Sequence, residues 1–180
     1  MTSKKNPGKH TAYFPSLPSV AGYAAVTGQK EGEGPLGKYF DLVGTDPYFS
    51  QKTWEKAESE MQRLAFEIAL KKADLSAKDI ERLFAGDLLN QCISSSLAHK
   101  EDCIPYVGLY GACSTMAESL LMASMAVAGG FFDNAVAMTS SHFASSERQY
   151  RFPLGYGGQR TPTSQWTATG SGCALVQSSG

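Results

Sequence analysis

Apolar residues recur at three-to-four-residue spacing between positions 54 and 68, which predicts an amphipathic helix. The positions that share this apolar face are Trp54, Ala57, Met61, Leu64, Ala65 and Ile68. Ser50 or Thr53 is placed to cap the helix at its amino end. Acidic residues lie near its start and basic residues near its end, as the helix dipole favours: Glu55, Glu58 and Glu60, then Lys71 and Lys72. We therefore predict a helix with one buried face.

Short apolar runs bounded by turn residues predict buried strands along the rest of the chain. These runs are Ala21–Thr27, Arg82–Gly86, Ile104–Tyr110, Ala135–Thr139 and Ala174–Gln177. Two further helices are predicted between them, over Ser94–Lys100 and Cys113–Ala128. Strands that alternate with helices at this spacing favour a parallel sheet with covering helices. We therefore predict an α/β fold.

The stretch from Ser140 to Gly170 has no regular period and is dense in serine, threonine, glycine and arginine. We predict an irregular segment of roughly thirty residues here, a length that is uncommon for a loop in a compact domain. Because such long loops are usually functional, we expect part of the functional site in this segment.

The composition is typical of a soluble globular domain, with 42% hydrophobic and 18% charged residues. Basic and acidic residues nearly balance, 16 against 17, and the formal net charge is -1. No overall field therefore draws the chain toward nucleic acid, and we expect no nucleic-acid partner.

The amino-terminal residues 1–18 contain prolines and basic side chains but no apolar core of signal-peptide length. We predict a flexible tail over residues 1–18 and a folded unit over residues 19–180. The most apolar stretch, Leu120–Phe132, is too short to span a bilayer as a helix. We therefore expect neither a signal peptide nor a transmembrane segment in this chain.

The four cysteines, at positions 92, 103, 113 and 173, form no C-x-x-C pair and no spacing that suits a tetrahedral metal site. We expect free thiols, no metal and no cofactor. Cys92, Cys103 and Cys173 are most simply packing residues, since unpaired cysteine is among the most buried residue types.

Cys113 has a different local setting, because it follows a predicted strand through Gly111 and Ala112 and opens a predicted helix. Unpaired N–H groups at a helix start stabilise a thiolate and lower the pKa of the cysteine. A strand, a turn and a helix that present a nucleophile are a recurring catalytic device. A small buried core residue is the competing interpretation.

Other candidate site residues follow predicted strands or lie in the irregular segment. His142 stands just past a strand end, where ligand-facing groups gather in parallel sheets, although a hydrogen-bonded loop histidine fits equally. Arg148 and Arg151 are spaced to clamp a dianion, and surface pairing with neighbouring groups is the alternative. Asn90 and Gln91 offer neutral donors and acceptors, or form a turn.

Two segments around Cys113 resemble a known superfamily. Gly111–Thr115, the helix rich in small residues that follows, and Gly129–Met138 look like the nucleophile segment of thiolases and ketoacyl synthases. In those enzymes the cysteine is acylated.

Further segments resemble the stage V sporulation protein AD family of thiolase-like proteins. They are Glu33–Gly37, Ala85–Gln91, the run from Thr139 to Gln159, and Thr169–Gly172. The resemblance runs from about Ala21 to Gln177. It implies the amino-terminal half of a thiolase-like α/β fold, with a parallel or mixed sheet and covering helices.

The resemblance also implies a function. The family is associated with binding of dipicolinic acid, or its calcium complex, for uptake into the developing spore on a non-catalytic scaffold. The ligand-binding residues would be Cys113, His142, Arg148, Arg151, Asn90 and Gln91. The implied partners are other spore membrane proteins of the same uptake system, and a homodimer is implied for the full-length protein. The implied location is the forespore or spore, peripheral to the inner spore membrane.

The alternative function is a cysteine-dependent acyltransferase or condensing enzyme that acts on acyl-CoA or acyl-carrier thioesters, with Cys113 as its catalytic residue. Thiolase-type catalysis needs an acid-base His or second Cys, which the superfamily supplies from its carboxy-terminal half. We expect that half to lie outside this chain, so we favour the binding function over the enzyme.

Overall fold

The chain folds as a six-stranded mixed sheet with helices on both faces. The computed structural model describes residues 8–14, 16–89, 92–150, 163 and 165–178, with only the backbone described over 147–150. The strands are β1 Ser19–Gly28, β2 Leu42–Gly44, β3 Arg82–Asp87, β4 Tyr106–Gly108, β5 Asn134–Ser141 and β6 Gly170–Gln177. The helices are α1 Gln29–Gly32, α2 Trp54–Ala73, α3 Ile93–Ala98, α4 Thr115–Ala128 and α5 Phe143–Tyr150. Short 3-10 turns cover Gly37–Tyr39, Ala77–Asp79 and Ala112–Ser114.

The sheet has the strand order β2-β1-β6-β5-β3-β4. The neighbours β1 and β2, β3 and β4, and β3 and β5 pair in parallel, whereas β6 runs antiparallel to both β1 and β5. Five strands therefore end at the same side of the sheet, which we call the carboxyl edge. The predicted parallel sheet is confirmed for those five strands, and the sheet as a whole is mixed.

The reversal of β6 follows from where the chain lies before that strand. Ser141, the last residue of β5, pairs with Gly170, the first residue of β6. The connection thus leaves and re-enters the sheet at the carboxyl edge. A parallel strand would need a crossover that carries the chain to the opposite edge first.

Helix α2 covers one face of the sheet and supplies the larger core. Its amino end is capped by Thr53, whose Oγ1 accepts a hydrogen bond from the Lys56 N–H at 3.3 Å. The helix packs on β1 and β6 and buries Met61 completely. Other buried members of this core are Val26, Ala57, Ala65, Phe66, Ala69, Leu83, Met138 and Leu175. The predicted helix and its Thr53 cap are confirmed.

Helix α4 covers the other face and forms a second, smaller core with β5 and β3. Its buried members are Phe84, Leu109, Ala123, Val127, Ala135, Ala137 and Val176. The opposite side of α4 exposes Leu121, Met122 and Met125. One side of this helix is therefore apolar and is not covered by the described residues. None of the described helices is long and apolar enough to cross a membrane.

Several predicted boundaries were wrong. The strand predicted over Ile104–Tyr110 is limited to Tyr106–Gly108, because it pairs with β3 alone and Pro105 has no N–H to extend the ladder. The segment predicted as irregular begins with the last two residues of β5 and the whole of α5. The serine-rich sequence looks like a loop and hid both the end of β5 and the helix α5. Ser140 nevertheless belongs to the sheet, where it pairs with Ser171.

Candidate functional site

The candidate site residues lie along the carboxyl edge. His142 directly follows β5, and Cys113 follows β4 through a short loop. Arg148 belongs to α5, but its side chain is outside the described set. Asn90, Gln91 and Arg151 lie outside the described residues, as do residues 1–7 of the predicted flexible tail. The ligand contacts assigned to these residues stay predictions.

Cys113 lies in the middle of the 3-10 turn Ala112–Ser114, which runs directly into α4. The predicted helix started at Cys113 itself, whereas α4 begins two residues later. The thiol is exposed, and the interpretation of Cys113 as a buried core residue is wrong. Ala112 has φ +47°, a left-handed value that costs a residue with a Cβ about 1–2 kcal/mol. Strained turns of this kind concentrate at functional sites.

The turn is held close to the sheet by Gly86 in β3. A Cβ placed on Gly86 would lie 2.2 Å from the carbonyl oxygen of Leu109 and 2.8 Å from Cγ2 of Thr115. Only glycine allows the chain before Cys113 to approach β3 so closely. On β6, which β5 separates from β3, a Cβ on Gly172 would lie 3.8 Å from Sδ of Met116. The first turn of α4 therefore lies over the carboxyl end of β3 and the start of β6.

His142 is completely buried, and both of its ring nitrogens have partners. Nε2 lies 2.9 Å from the carbonyl oxygen of Pro47, which can only accept a hydrogen bond, so Nε2 carries the proton. Nδ1 accepts from the Ala144 N–H at 3.2 Å. Burial lowers the pKa of His142, which favours this neutral form. A ligand contact through His142 stays a prediction, and it requires the ring to give up one of these bonds.

A cavity of about 450 Å³ opens at the carboxyl edge beside the end of β1. Its walls include the aromatic rings of Phe143 and Trp166, whose centroids are 6.2 Å apart. Lys30 lies at the same wall, with Nζ 3.5 Å from the centroid of the Trp166 ring. Cys113 is not among the described residues that line this cavity. The structure thus separates the exposed thiol from the aromatic cavity.

The acidic residues of the cavity are engaged within the chain. Glu31 Oε1 accepts from the Thr169 N–H at 3.0 Å, which fixes α1 to the start of β6. Glu33 Oε1 accepts from Nε2 of Gln29, also at 3.0 Å. These bonds hold the carboxylates at the wall and leave further oxygen lone pairs available to a cation.

A buried polar cluster lies beneath the carboxyl edge, between α2, α3, β3, β5 and α5. Its members are Glu58, Gln62, Asp87, Ser95, Ser140 and Ser145. The Glu58 carboxylate accepts from the hydroxyls of Ser140 and Ser145, both at 2.8 Å. Gln62 Nε2 donates to Ser140 Oγ at 2.6 Å and to Ser95 Oγ at 3.1 Å. This cluster joins the two sequence-distant segments that end in α3 and α5.

Asp87, at the end of β3, holds the other side of this cluster. Its Oδ2 accepts from the N–H and the hydroxyl of Ser95 at 2.8 and 2.6 Å, and its Oδ1 accepts from the Leu89 N–H at 2.9 Å. The pKa of Glu58 is raised to about 7, because burial and, to a smaller extent, the charge of Asp87 raise it by more than the serine hydrogen bonds lower it. A buried carboxyl that titrates near neutrality is common at functional sites.

Sequence reasoning missed the roles of Glu58 and Gln62. Each directly follows an apolar position of the α2 pattern, and the two are four residues apart, so they share the edge of the buried face. That spacing is the available signal, and the helix-dipole interpretation of Glu58 overlooks it. Cys92 and Cys173 are buried as predicted, whereas Cys103 is exposed and the packing interpretation was wrong for it.

The fold is that of the thiolase-like class of proteins. The chain matches 3-oxoacyl-[acyl-carrier-protein] synthase III from Aquifex aeolicus VF5 with a TM-score of 0.60 and 14% identity, covering 91% of this chain and 54% of that chain. It matches the priming β-ketosynthase of the R1128 polyketide pathway with a TM-score of 0.59 and 17% identity, covering 96% and 53%. It matches Xanthomonas campestris OleA H285N with a TM-score of 0.58 and 14% identity, covering 92% and 57%.

Residues 8–180 match the family of stage V sporulation protein AD, and the chain belongs to that family. The curated stage V sporulation protein AD of Bacillus subtilis (strain 168) is 44% identical over 171 residues. That match covers 94% of this chain and 50% of the relative, so the chain spans about half the length of the relative. The predicted family and the thiolase-like fold are both confirmed.

Proposed function

We propose that the chain is part of a non-catalytic thiolase-like scaffold that binds dipicolinic acid, free or as its calcium complex, for uptake into the developing spore. The observation that carries this proposal is the aromatic cavity at the carboxyl edge. Dipicolinic acid is a flat pyridine ring with two carboxylates. Its ring can stack on Phe143 or Trp166, and a carboxylate can pair with the ammonium group of Lys30.

The charged groups at the cavity interact differently with free dipicolinate and with its calcium complex. The free dianion gains from Lys30 and from the predicted arginine clamp of Arg148 and Arg151, of which Arg148 lies on the helix that begins at Phe143. The calcium complex brings its own cation, which favours oxygen ligands such as the carboxylates of Glu31 and Glu33. Dependence of binding on calcium therefore reports which form is taken.

Calorimetry with dipicolinate tests this proposal, in the presence and absence of calcium, on a full-length protein that contains this chain. Lys30→Met and Trp166→Leu are expected to weaken binding at least tenfold, because each removes one recognition element. Lys78→Met is the matched control, since Lys78 is exposed and precedes β3 at the opposite edge of the sheet. Absence of heat in the unmutated protein at millimolar dipicolinate would overturn the proposal.

A second candidate function is acyl transfer, favoured by the exposed thiol of Cys113 behind the strained Ala112. The thiolate would attack the thioester carbonyl, the acyl group would move to the sulfur, and the CoA thiol would leave. Mass spectrometry after incubation with acyl-CoA should then show an adduct at Cys113. Cys103 is the matched control, because it is a second exposed thiol of the same chain. No adduct, or equal modification of both thiols, would remove this function.

The assembly and location implied by the family are part of the same proposal. We expect a homodimer when the protein is full length, contact with other spore membrane proteins of the uptake system, and a peripheral position at the inner membrane of the forespore or spore. β4 supports a dimer, because among the described strands it lies at the end of the sheet and pairs with β3 alone. Light scattering checks the dimer, and fractionation of spore membranes before and after a high-salt wash checks the location.

A further inference from the structure

The carboxyl group of Glu58 is fully buried in the polar cluster. Among the described side chains no lysine, arginine or histidine forms an ion pair with it. A buried carboxylate without a cation carries a large desolvation cost, which uptake of a proton removes. Whether Glu58 carries a proton therefore depends on the hydrogen bonds that its neighbours form with the protonated and with the ionised carboxyl group.

The acid form of Glu58 has a complete set of hydrogen bonds within reach. The Ser145 hydroxyl oxygen lies 2.8 Å from Glu58 Oε2 and 3.2 Å from the carbonyl oxygen of His142. When Oε2 carries a proton it can donate to the Ser145 hydroxyl, which then donates to His142. Ser140 continues to donate to Oε1, and Gln62 continues to donate to Ser140. Every donor in this closed circuit of hydrogen bonds therefore keeps an acceptor when Glu58 is protonated.

The surroundings of Glu58 compensate its ionised form less well than its acid form. Ser140 and Ser145 then donate into the carboxylate and a hydrogen bond with Ser94 also favours this form, but no cation among the described side chains offsets the cost of burying the charge. The groups that face Glu58 do not supply a positive charge: β3 contributes the carboxyl of Asp87, α3 contributes serines, and β5 contributes Ser140. The side chains at 147–150 of α5 are outside the described set. Ionisation thus favours entry of water.

Water can reach Glu58 most easily by movement of α5. β3 and β5 are inner strands of the sheet, and α3 is fastened to β3 through Asp87 and Ser95. By contrast, α5 is only eight residues long and is joined to Glu58 by the Ser145 hydroxyl. We propose that Glu58 is a proton-controlled latch, which holds α5 against α2 when it carries a proton and releases α5 when it is ionised.

The latch would regulate the aromatic cavity, because Phe143 is both the first residue of α5 and part of the cavity wall. Release of α5 withdraws this wall, so ligand affinity should fall as the pH rises through neutrality. This consequence rests on the proposed function, whereas the latch itself does not.

Tryptophan fluorescence, measured without ligand over about pH 5 to 8, tests the latch directly. The Trp54 ring lies 5.2 Å from His142 and 5.9 Å from Phe143, and the other tryptophan, Trp166, lies 6.2 Å from Phe143. We expect a transition near pH 7 that Glu58→Gln abolishes, because the amide mimics the acid form and keeps α5 closed. Glu67→Gln, an exposed change on the same helix, should leave the transition unchanged.

A transition near neutrality that persists in Glu58→Gln would overturn the latch. Titration of His142 does not imitate the expected result, because burial lowers the pKa of that ring and Glu58→Gln leaves it in place. Ser145→Ala is the second variant: it breaks the closed circuit, so the fluorescence at about pH 5 should shift toward the value of the unmutated protein at about pH 8. If Ser145→Ala leaves the acid spectrum unchanged, α5 is not held through this hydroxyl. Calorimetry with dipicolinate is a separate experiment, so failure of the ligand and failure of the latch are distinguishable.

Discussion

The hydroxyl of Ser140 lies 2.8 Å from Oε1 of Glu58, and it connects β5 to α2 across 82 positions of sequence. The same hydroxyl oxygen accepts from Gln62 at 2.6 Å, so one small side chain serves two buried groups of the helix. Neither group has access to water in this position, because Glu58 and Gln62 are both fully buried. Ser140 therefore satisfies part of the hydrogen-bonding capacity of both buried groups.

We predict that Ser140→Ala lowers the free energy of unfolding by about 1–3 kcal/mol, since it leaves buried partners unsatisfied. Urea unfolding followed by circular dichroism measures this change. Ser141→Ala is the control, because the Ser141 hydroxyl donates to the Ala168 carbonyl at a position that solvent reaches. Its loss should cost less than about 1 kcal/mol. Equal effects of the two substitutions would contradict the role assigned to the cluster.

The stability of the chain should depend on pH through Glu58. Its folded-state pKa is about 7 against an ordinary value of 4.5, so the folded chain binds more protons than the unfolded chain between those values. This contribution to stability is complete below about pH 4.5, is lost as the pH rises through about 7 and is constant above about pH 8. The loss is on the order of 3 kcal/mol.

Denaturant unfolding of the unmutated chain and of Glu58→Gln, at matched pH values, isolates that contribution from other titrating groups. The difference in unfolding free energy between the two proteins should change from about pH 5 through pH 7 and level off above about pH 8. A difference that is constant throughout would show that Glu58 titrates at its ordinary pKa.

Substitutions at two glycines of the carboxyl edge should have very different effects. A Cβ on Gly86 would meet the Leu109 carbonyl oxygen at 2.2 Å, and backbone must move to relieve that contact. A Cβ on Gly172 would meet only Met116 Sδ, at 3.8 Å. We predict that Gly86→Ala destabilises the chain by more than about 2 kcal/mol, whereas Gly172→Ala changes its stability by less than about 1 kcal/mol. Thermal unfolding compares the two, and similar midpoints would contradict the close approach.

The turn before Cys113 should be stabilised by glycine. Ala112→Gly removes the cost of φ +47° and adds some chain entropy to the unfolded state, for a net gain of about 0.5 kcal/mol. Ala117→Gly is the matched control, because Ala117 is exposed inside α4, where glycine costs about 1 kcal/mol. Chemical denaturation of both variants checks the opposite signs, and a loss of stability in Ala112→Gly would refute the assigned conformation.

Local patterns in the sequence were sufficient for α2 and for most strands, because side-chain period and capping act over a few residues. The direction of β6 could not be predicted in this way, because nothing in its apolar run distinguishes a parallel neighbour from an antiparallel one. The partners of Glu58 could not be predicted either, because Ser140 and Ser145 are polar residues in a segment whose sequence is typical of a loop. Only the folded chain brings them to α2. Cys113 could be placed on its turn from the motif, but its separation from the aromatic cavity depends on how distant segments meet.

The position of β6 in the sheet affects the order in which the chain can fold during synthesis. β6 is the last of the six strands to leave the ribosome, yet it lies between β1 and β5 and supplies the ladder that joins them. Before β6 has been synthesised, no strand ladder joins the β1–β2 pair to the β5–β3–β4 group. Helix α2 then has only part of the surface on which it packs. Nascent chains shorter than about residue 170 should consequently expose strand edges and depend on chaperones, as expected for a topology dominated by distant contacts.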